Sequence, residues 1–180
     1  MTVTPRAILD FWTDHVGETR WYAAEPALDD EIRARYESLW RAARDGKLSD
    51  WERTAESALA LLIVLDQFPR NMFRGKADAF ATDAQARGVA DRAIANGFDL
   101  KIAPPLRQFF YLPFEHSETM ADQNRSLALF GERMGKDHYT YPYALEHRAE
   151  IERFGRFPSR NAQLGRAATP EEAEFLRRKA

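Results

Sequence analysis

Cysteine is absent from the 180 residues. That excludes disulfides, thiolate metal sites and a cysteine nucleophile, and it suits a reducing compartment, so a cytoplasmic protein is expected. Excess charge of one sign is also missing. Lys and Arg number 26 against 28 Asp and Glu, for a formal net charge of −2. A nucleic-acid binder concentrates basic residues on one face; the sequence carries no such footprint, and no nucleic-acid partner is expected. Long apolar runs are scarce. The longest, Ala58 to Leu65, falls far short of the ~20 residues that cross a bilayer. No membrane association is expected, and no charged-then-apolar opening segment announces a secretory leader. Strand alternation, hairpin signals and a glycine-rich phosphate loop are all missing.

Helix signals are what the chain does have. Thr4-Pro5 pairs a good N-cap with a first-position proline, ahead of the stripe Ile8, Leu9, Phe11, Trp12 and Val16, with Gly17 as the stop. Ile32, Tyr36, Leu39, Trp40 and Ala43 repeat at helical spacing before Gly46. Ser49-x-x-Glu52 reads as a capping box opening the helix that holds Ala58 to Leu65. That helix is apolar all round and belongs at the centre of the fold, with Pro69 as its expected end. A buried strand is the rival reading of so short a run.

Further helices are predicted from about Thr82 to Asn96, through Phe109 and Phe110 between Pro104-Pro105 and Pro113, and from Met120 to Gly135 with Ser117 as cap. Another carries an inward stripe of Tyr143, His147, Ile151 and Phe154. Thr169-Pro170-Glu171-Glu172 combines N-cap, first-position proline and capping box. The fold class is all-α, roughly eight helices, in a single helical domain over 1–180.

Chemistry is sought in the polar residues at helix ends. Phe68-Pro69-Arg70-Asn71 recurs as Phe157-Pro158-Ser159-Arg160-Asn161, one residue longer. Each copy follows a helix and presents arginine and asparagine from a proline-stiffened turn. The second copy lies in a loop crowded by Arg153, Arg156, Arg160 and Arg166. Arginine forks suit carboxylate or phosphate, but salt bridges to local acids are the competing account. His116 and Glu118 pair a histidine with carboxylates, as a general acid or base needs. Their structural alternative is a polar corner and a helix-dipole partner. His147 with Glu150 is half of a helical Glu/His pair, and no second half or zinc spacing accompanies it, so no metal set is assigned. Asp66-Gln67 ends a buried helix, where an aspartate requires a partner such as Arg70.

These motifs together carry a resemblance. Leu65-Asp66-Gln67-Phe68-Pro69-Arg70-Asn71, Tyr111-Leu112-Pro113-Phe114-Glu115-His116-Ser117-Glu118 and Arg153-Phe154-Gly155-Arg156-Phe157-Pro158 resemble the signature of a bacterial family known as domain of unknown function 924. Arg160-Asn161, Leu164-Gly165-Arg166, Thr169-Pro170-Glu171-Glu172, Phe11-Trp12 and Trp51 extend the resemblance over nearly the whole chain. It implies a tetratricopeptide-like right-handed helical array, or a compact bundle, and no established activity. The chain itself shows no thirty-four-residue period. In the family pattern histidine often stands where this chain has Ser159, and its replacement weakens a hydrolase reading.

The expectation is a pocket for a small anionic metabolite, bound by Asp66, Gln67, Arg70, Asn71, Arg156, Arg160 and Asn161. His116, Glu118 and His147 are the candidate acid/base groups for hydrolysis or proton transfer. No cofactor is assigned. The two Phe-Pro turns are expected to meet around one polar site that includes Asp66 or His116. A tetratricopeptide-like module that holds a protein or peptide partner is the alternative, and purely structural polar ties are the third reading.

Overall fold

The computed structural model describes residues 3–179, and every regular element among them is helical. Two compact units form. The first takes the described residues up to Arg74 together with Asp78–Pro113, and the second takes Gly75–Ala77 and the residues from Phe114 on. Among the described residues no helix is long and apolar enough to cross a membrane.

In the first unit, helix α1 (Pro5–Asp10) opens as its sequence predicts: Thr4 Oγ1 accepts the Ala7 N–H at 3.2 Å. The helix continues in π form over Phe11–Val16, and Gly17 stops it at φ +77°. Helix α2 (Pro26–Arg44) buries Ile32, Tyr36, Trp40 and Ala43. Helix α3 (Ala55–Leu62) runs through π-helical Ile63–Gln67 into α4 (Phe68–Met72), and every residue from 58 to 69 is buried. This rod is the centre of the unit. The rings of Tyr36 and Phe68 stack at 4.9 Å, and Phe11 packs edge-on to Tyr36 at the same distance.

Two expectations about the rod are corrected. Ser49 and Glu52 sit in a 3-10 turn, Ser49–Arg53, and do not cap the rod. Thr54 is the cap, in a box with Ser57, while Glu52 binds Arg92 at 2.6 and 3.0 Å. Nor does Pro69 end the rod. Proline removes an N–H and its ring clashes with the carbonyl four residues back, here Leu65. The π turn widens the backbone just before the proline. The Leu65 carbonyl then accepts the Thr82 hydroxyl at 2.5 Å.

Helix α5 (Asp83–Ala95) ends at Asn96, with Gly97 left-handed at φ +67°. The expected helix through Phe109 and Phe110 is 3-10, Leu106–Phe110. Pro113 does not close it, because it lies inside the short α6 (Leu112–Glu115).

The second unit holds α7 (Met120–Arg133), α8 (Tyr141–Phe154) and α9 (Pro170–Lys179). Thr119, not Ser117, caps α7 by accepting the Asp122 N–H at 3.3 Å. Ser117 donates instead to the Asp122 carboxylate at 2.6 Å. Thr169 and Glu172 form the predicted box: the Glu172 N–H donates to Thr169 Oγ1 at 3.2 Å, and the Thr169 N–H donates to Glu172 Oε2 at 2.7 Å. Tyr143 departs from the predicted inward stripe and is 57% exposed. With α3 and α4 counted as one rod, the described residues form eight helices, as the sequence predicts.

Candidate functional site

Each Phe-Pro turn closes on carboxylates within its own unit. In the first, Arg70 Nη1 donates to the Asp66 carbonyl at 2.6 Å and to Asp83 Oδ1 at 3.0 Å, and Nη2 donates to Asp83 Oδ2 at 3.2 Å. Arg70 Nη1 also lies 3.4 Å from Asp66 Oδ1, and Gln67 Nε2 donates to Asp66 Oδ2 at 2.6 Å. Buried Asp66 thus has the partner its position demanded. Asn71 and Arg74 clamp Asp29 of α2 at 2.8 and 2.6 Å. Burial pushes the Asp29 carboxyl up, but the hydrogen bonds from Arg74 and Asn71 outweigh it and hold the pKa below its ordinary value.

The second turn repeats the device on α9. Arg156 donates to Glu172 at 2.6 and 2.9 Å, and Asn161 Nδ2 donates to Glu172 Oε2 at 3.2 Å. The Arg156 hydrogen bond, with that from the Thr169 backbone, pulls Glu172 down to about 2. The echoed motif is therefore a repeated clamp, in which the turn's asparagine and a nearby arginine fasten one helix carboxylate. The two clamps belong to different units.

Within the second unit another arrangement emerges. Glu115, at the end of α6, is buried, and its Oε1 lies 3.3 Å from His147 Nδ1 on α8. The same Nδ1 lies 2.8 Å from the Tyr143 carbonyl. A carbonyl only accepts, so Nδ1 carries the proton and Nε2 holds the lone pair in the neutral ring. Among the described residues none bonds Nε2, and the His147 side chain is 35% exposed. The His116 carbonyl accepts from Arg160 Nη2 at 2.9 Å. The Arg160 guanidinium lies 4.5 Å above the Phe157 ring, and Phe157 meets the His147 ring edge-on at 5.5 Å. His147, Glu115, His116, Arg160 and Phe157 thus close a ring of contacts.

Local structure sets this ring. Gly155, left-handed at φ +69°, turns the chain off α8 so that Phe157 folds back toward His147. Glu118 Oε1 accepts the Phe157 N–H at 2.9 Å, and both Glu118 oxygens take Arg166 at 2.7 and 2.9 Å. Burial raises the Glu118 pKa, but Arg166 and the Phe157 N–H bring it below the ordinary value. Glu118 anchors the turn through these bonds. Gln123 Nε2 ties the end of α6 to α7 through the Glu115 and Ser117 carbonyls at 2.6 and 2.7 Å, and its buried Oε1 finds no donor among the described residues.

Electrostatics give His147 its state. Burial, the largest cause, pushes its pKa down to about 4; the Tyr143 carbonyl opposes this, and positive charge on His116, Lys179 and Arg160 adds to the depression. The ring is neutral at pH 7, with Nε2 unprotonated. The second unit therefore gathers four of the sequence candidates, His116, Glu118, His147 and Arg160, beside the Arg156–Asn161 clamp. Asp66, Gln67, Arg70 and Asn71 belong to the first unit. Sequence reasoning missed Glu115, Phe157 and Lys179. Glu115 stood beside His116 in a quoted motif, while nothing in the sequence set Lys179 apart.

The profile of a family of bacterial proteins of unknown function, DUF924, matches residues 8–180. The chain belongs to this family. Both clamps and the His147 ring of this DUF924 member fall inside the matched span. The fold is also similar to the solved structure of a protein of unknown function from Agrobacterium tumefaciens, with 44% identity, 96% of each chain covered and a TM-score of 0.90. No curated protein matches the chain.

Proposed function

We propose that the second unit binds a small anionic ligand at the His147 ring and moves a proton there. The observation that carries this reading is the hydrogen bonding of His147. Nδ1–H is held by the Tyr143 carbonyl, with Glu115 Oε1 3.3 Å away, which leaves Nε2 unprotonated. A base so oriented, with a carboxylate behind it, is the arrangement general-base catalysis uses. Arg160 and Lys179 supply positive charge for a carboxylate or phosphate. A bound anion favours the imidazolium form and raises the His147 pKa toward neutrality, so binding and proton uptake reinforce each other. Hydrolysis or proton transfer on an anionic metabolite is the reaction class.

Titration of the protein with inorganic phosphate and with acetate, followed through the His147 ring resonances, tests the reading. The His147 midpoint should rise with anion concentration. Arg160→Ala should abolish both this rise and any anion-dependent gain in melting temperature, at little cost without ligand. A His147 midpoint that ignores both anions overturns the proposal. A large loss of stability in ligand-free Arg160→Ala makes Arg160 a structural tie instead.

A further inference from the structure

The helix that brings the last cation toward His147 is attached in an unusual way. Among the described residues of α9, Glu172 alone is buried. An amphipathic helix ordinarily docks by an apolar stripe; α9 docks by a carboxylate. Glu172 takes bonds from Arg156, Asn161 and the Thr169 N–H. Two further ion pairs follow along α8: Arg153 to Glu171 at 2.8 Å and Lys179 to Glu150 at 3.0 Å. The Lys179–Glu150 pair fixes where the end of α9 stands against α8. The apolar share is half-buried: Phe175 meets Phe154 with ring centres 5.0 Å apart, and Leu176 is half-buried beside it in the chain. His147 and Glu150 are three residues apart and share a face of α8. Through its pair with Glu150, Lys179 stands on that face.

We propose that α9 is a releasable arm, latched by Glu172, that completes the anion site by setting Lys179 beside His147. The geometry stands independently, while the use of the arm rests on the ligand-site reading above. With the arm docked, an anion at His147 meets Arg160 from the Phe157 turn and Lys179 from α9. With the arm released, it meets Arg160 alone. Attachment by ion pairs makes release sensitive to salt, and elements with few buried apolar contacts open before the rest of a fold.

The test uses the full chain with Lys179→Gln, Glu172→Gln and the double variant. In ligand-free protein, Lys179→Gln should raise the His147 midpoint, because a neighbouring cation is gone. Glu172→Gln should raise it too by freeing the arm, and the double variant should add nothing further. Phosphate should bind roughly two- to five-fold more weakly in each, the scale of one partly exposed charge. Because Glu172→Gln removes a buried charge from its partners, amide exchange of the wild type in rising sodium chloride is the companion measurement. The α9 amides should exchange earlier than those of α7 and α8. If Arg160 governs phosphate binding but Lys179→Gln and Glu172→Gln leave both midpoint and affinity unmoved, the arm is refuted and the ligand site survives. If the midpoints move as expected and phosphate never binds, the arm stands and the ligand reading falls. Exchange of α9 in step with α7 and α8 also refutes a releasable arm.

Discussion

At Thr82 a single buried hydroxyl joins three helices. It accepts the Trp40 indole N–H of α2 at 3.1 Å and donates to the Leu65 carbonyl at 2.5 Å, at the start of α5. Thr82→Val keeps the shape and removes both bonds, leaving a buried donor and a buried acceptor unpaired. Each such group costs about 1–3 kcal/mol, so a clear drop in the urea midpoint is expected. An unchanged midpoint would mean that water or another side chain takes over both bonds. Glu172 makes a different residue-scale prediction. Its folded pKa of about 2 lies below the ordinary 4.5, so its stabilisation is present above pH 4.5 and is lost as pH falls toward 2. Acid titration of stability should therefore be flatter between those values in Glu172→Gln. The same acid slope in both proteins would show that Glu172 is not depressed.

Caps and breakers decide matters at the scale of elements. Ser49-x-x-Glu52 fits the capping-box formula, yet Thr54 and Ser57 do the capping. The formula looks for Glu or Gln at the third position, and a serine there escaped notice. Thr54→Ala should lower stability by ~0.5–2 kcal/mol, the usual value of an N-cap. Ser49→Ala should change it far less, and denaturation of the two variants side by side checks the assignment. Equal effects would reopen it. At the other end of the same rod, the rule that proline ends a helix failed for a definite reason. The π turn over Ile63–Gln67 accommodates Pro69, and Thr82 satisfies the stranded carbonyl from seventeen residues away. A local rule cannot register a partner that distant.

For the molecule as a whole, pH links stability to the proposed site. His147 is depressed from 6.5 to about 4 in the folded state, so the unfolded chain binds its proton first. Stability from the neutral ring is complete above pH 6.5 and is lost as pH falls toward 4. Thermal melts should fall over that window, and His147→Gln should remove that part of the slope. Because the ring is 35% exposed, solvent screens the effect and a modest slope is expected. A slope indifferent to the substitution would place the acid sensitivity elsewhere.

The helical class, the central apolar rod, the Thr4 and Thr169 caps and the need of Asp66 for a partner were all legible in the chain, because periodicity, capping and charge burial act over a few residues or on a single group. The family was legible too, since its motifs are long and unbroken. The tertiary structure alone decided which polar residues meet. The echoed turns fasten Asp29 and Glu172, each within its own unit. His147 gains Glu115 from thirty-two positions upstream, with Phe157 and Lys179 from beyond a glycine turn and a charge-held helix. Contacts across such separations depend on helix packing and on where each turn points the chain, and neither leaves a spacing in the sequence.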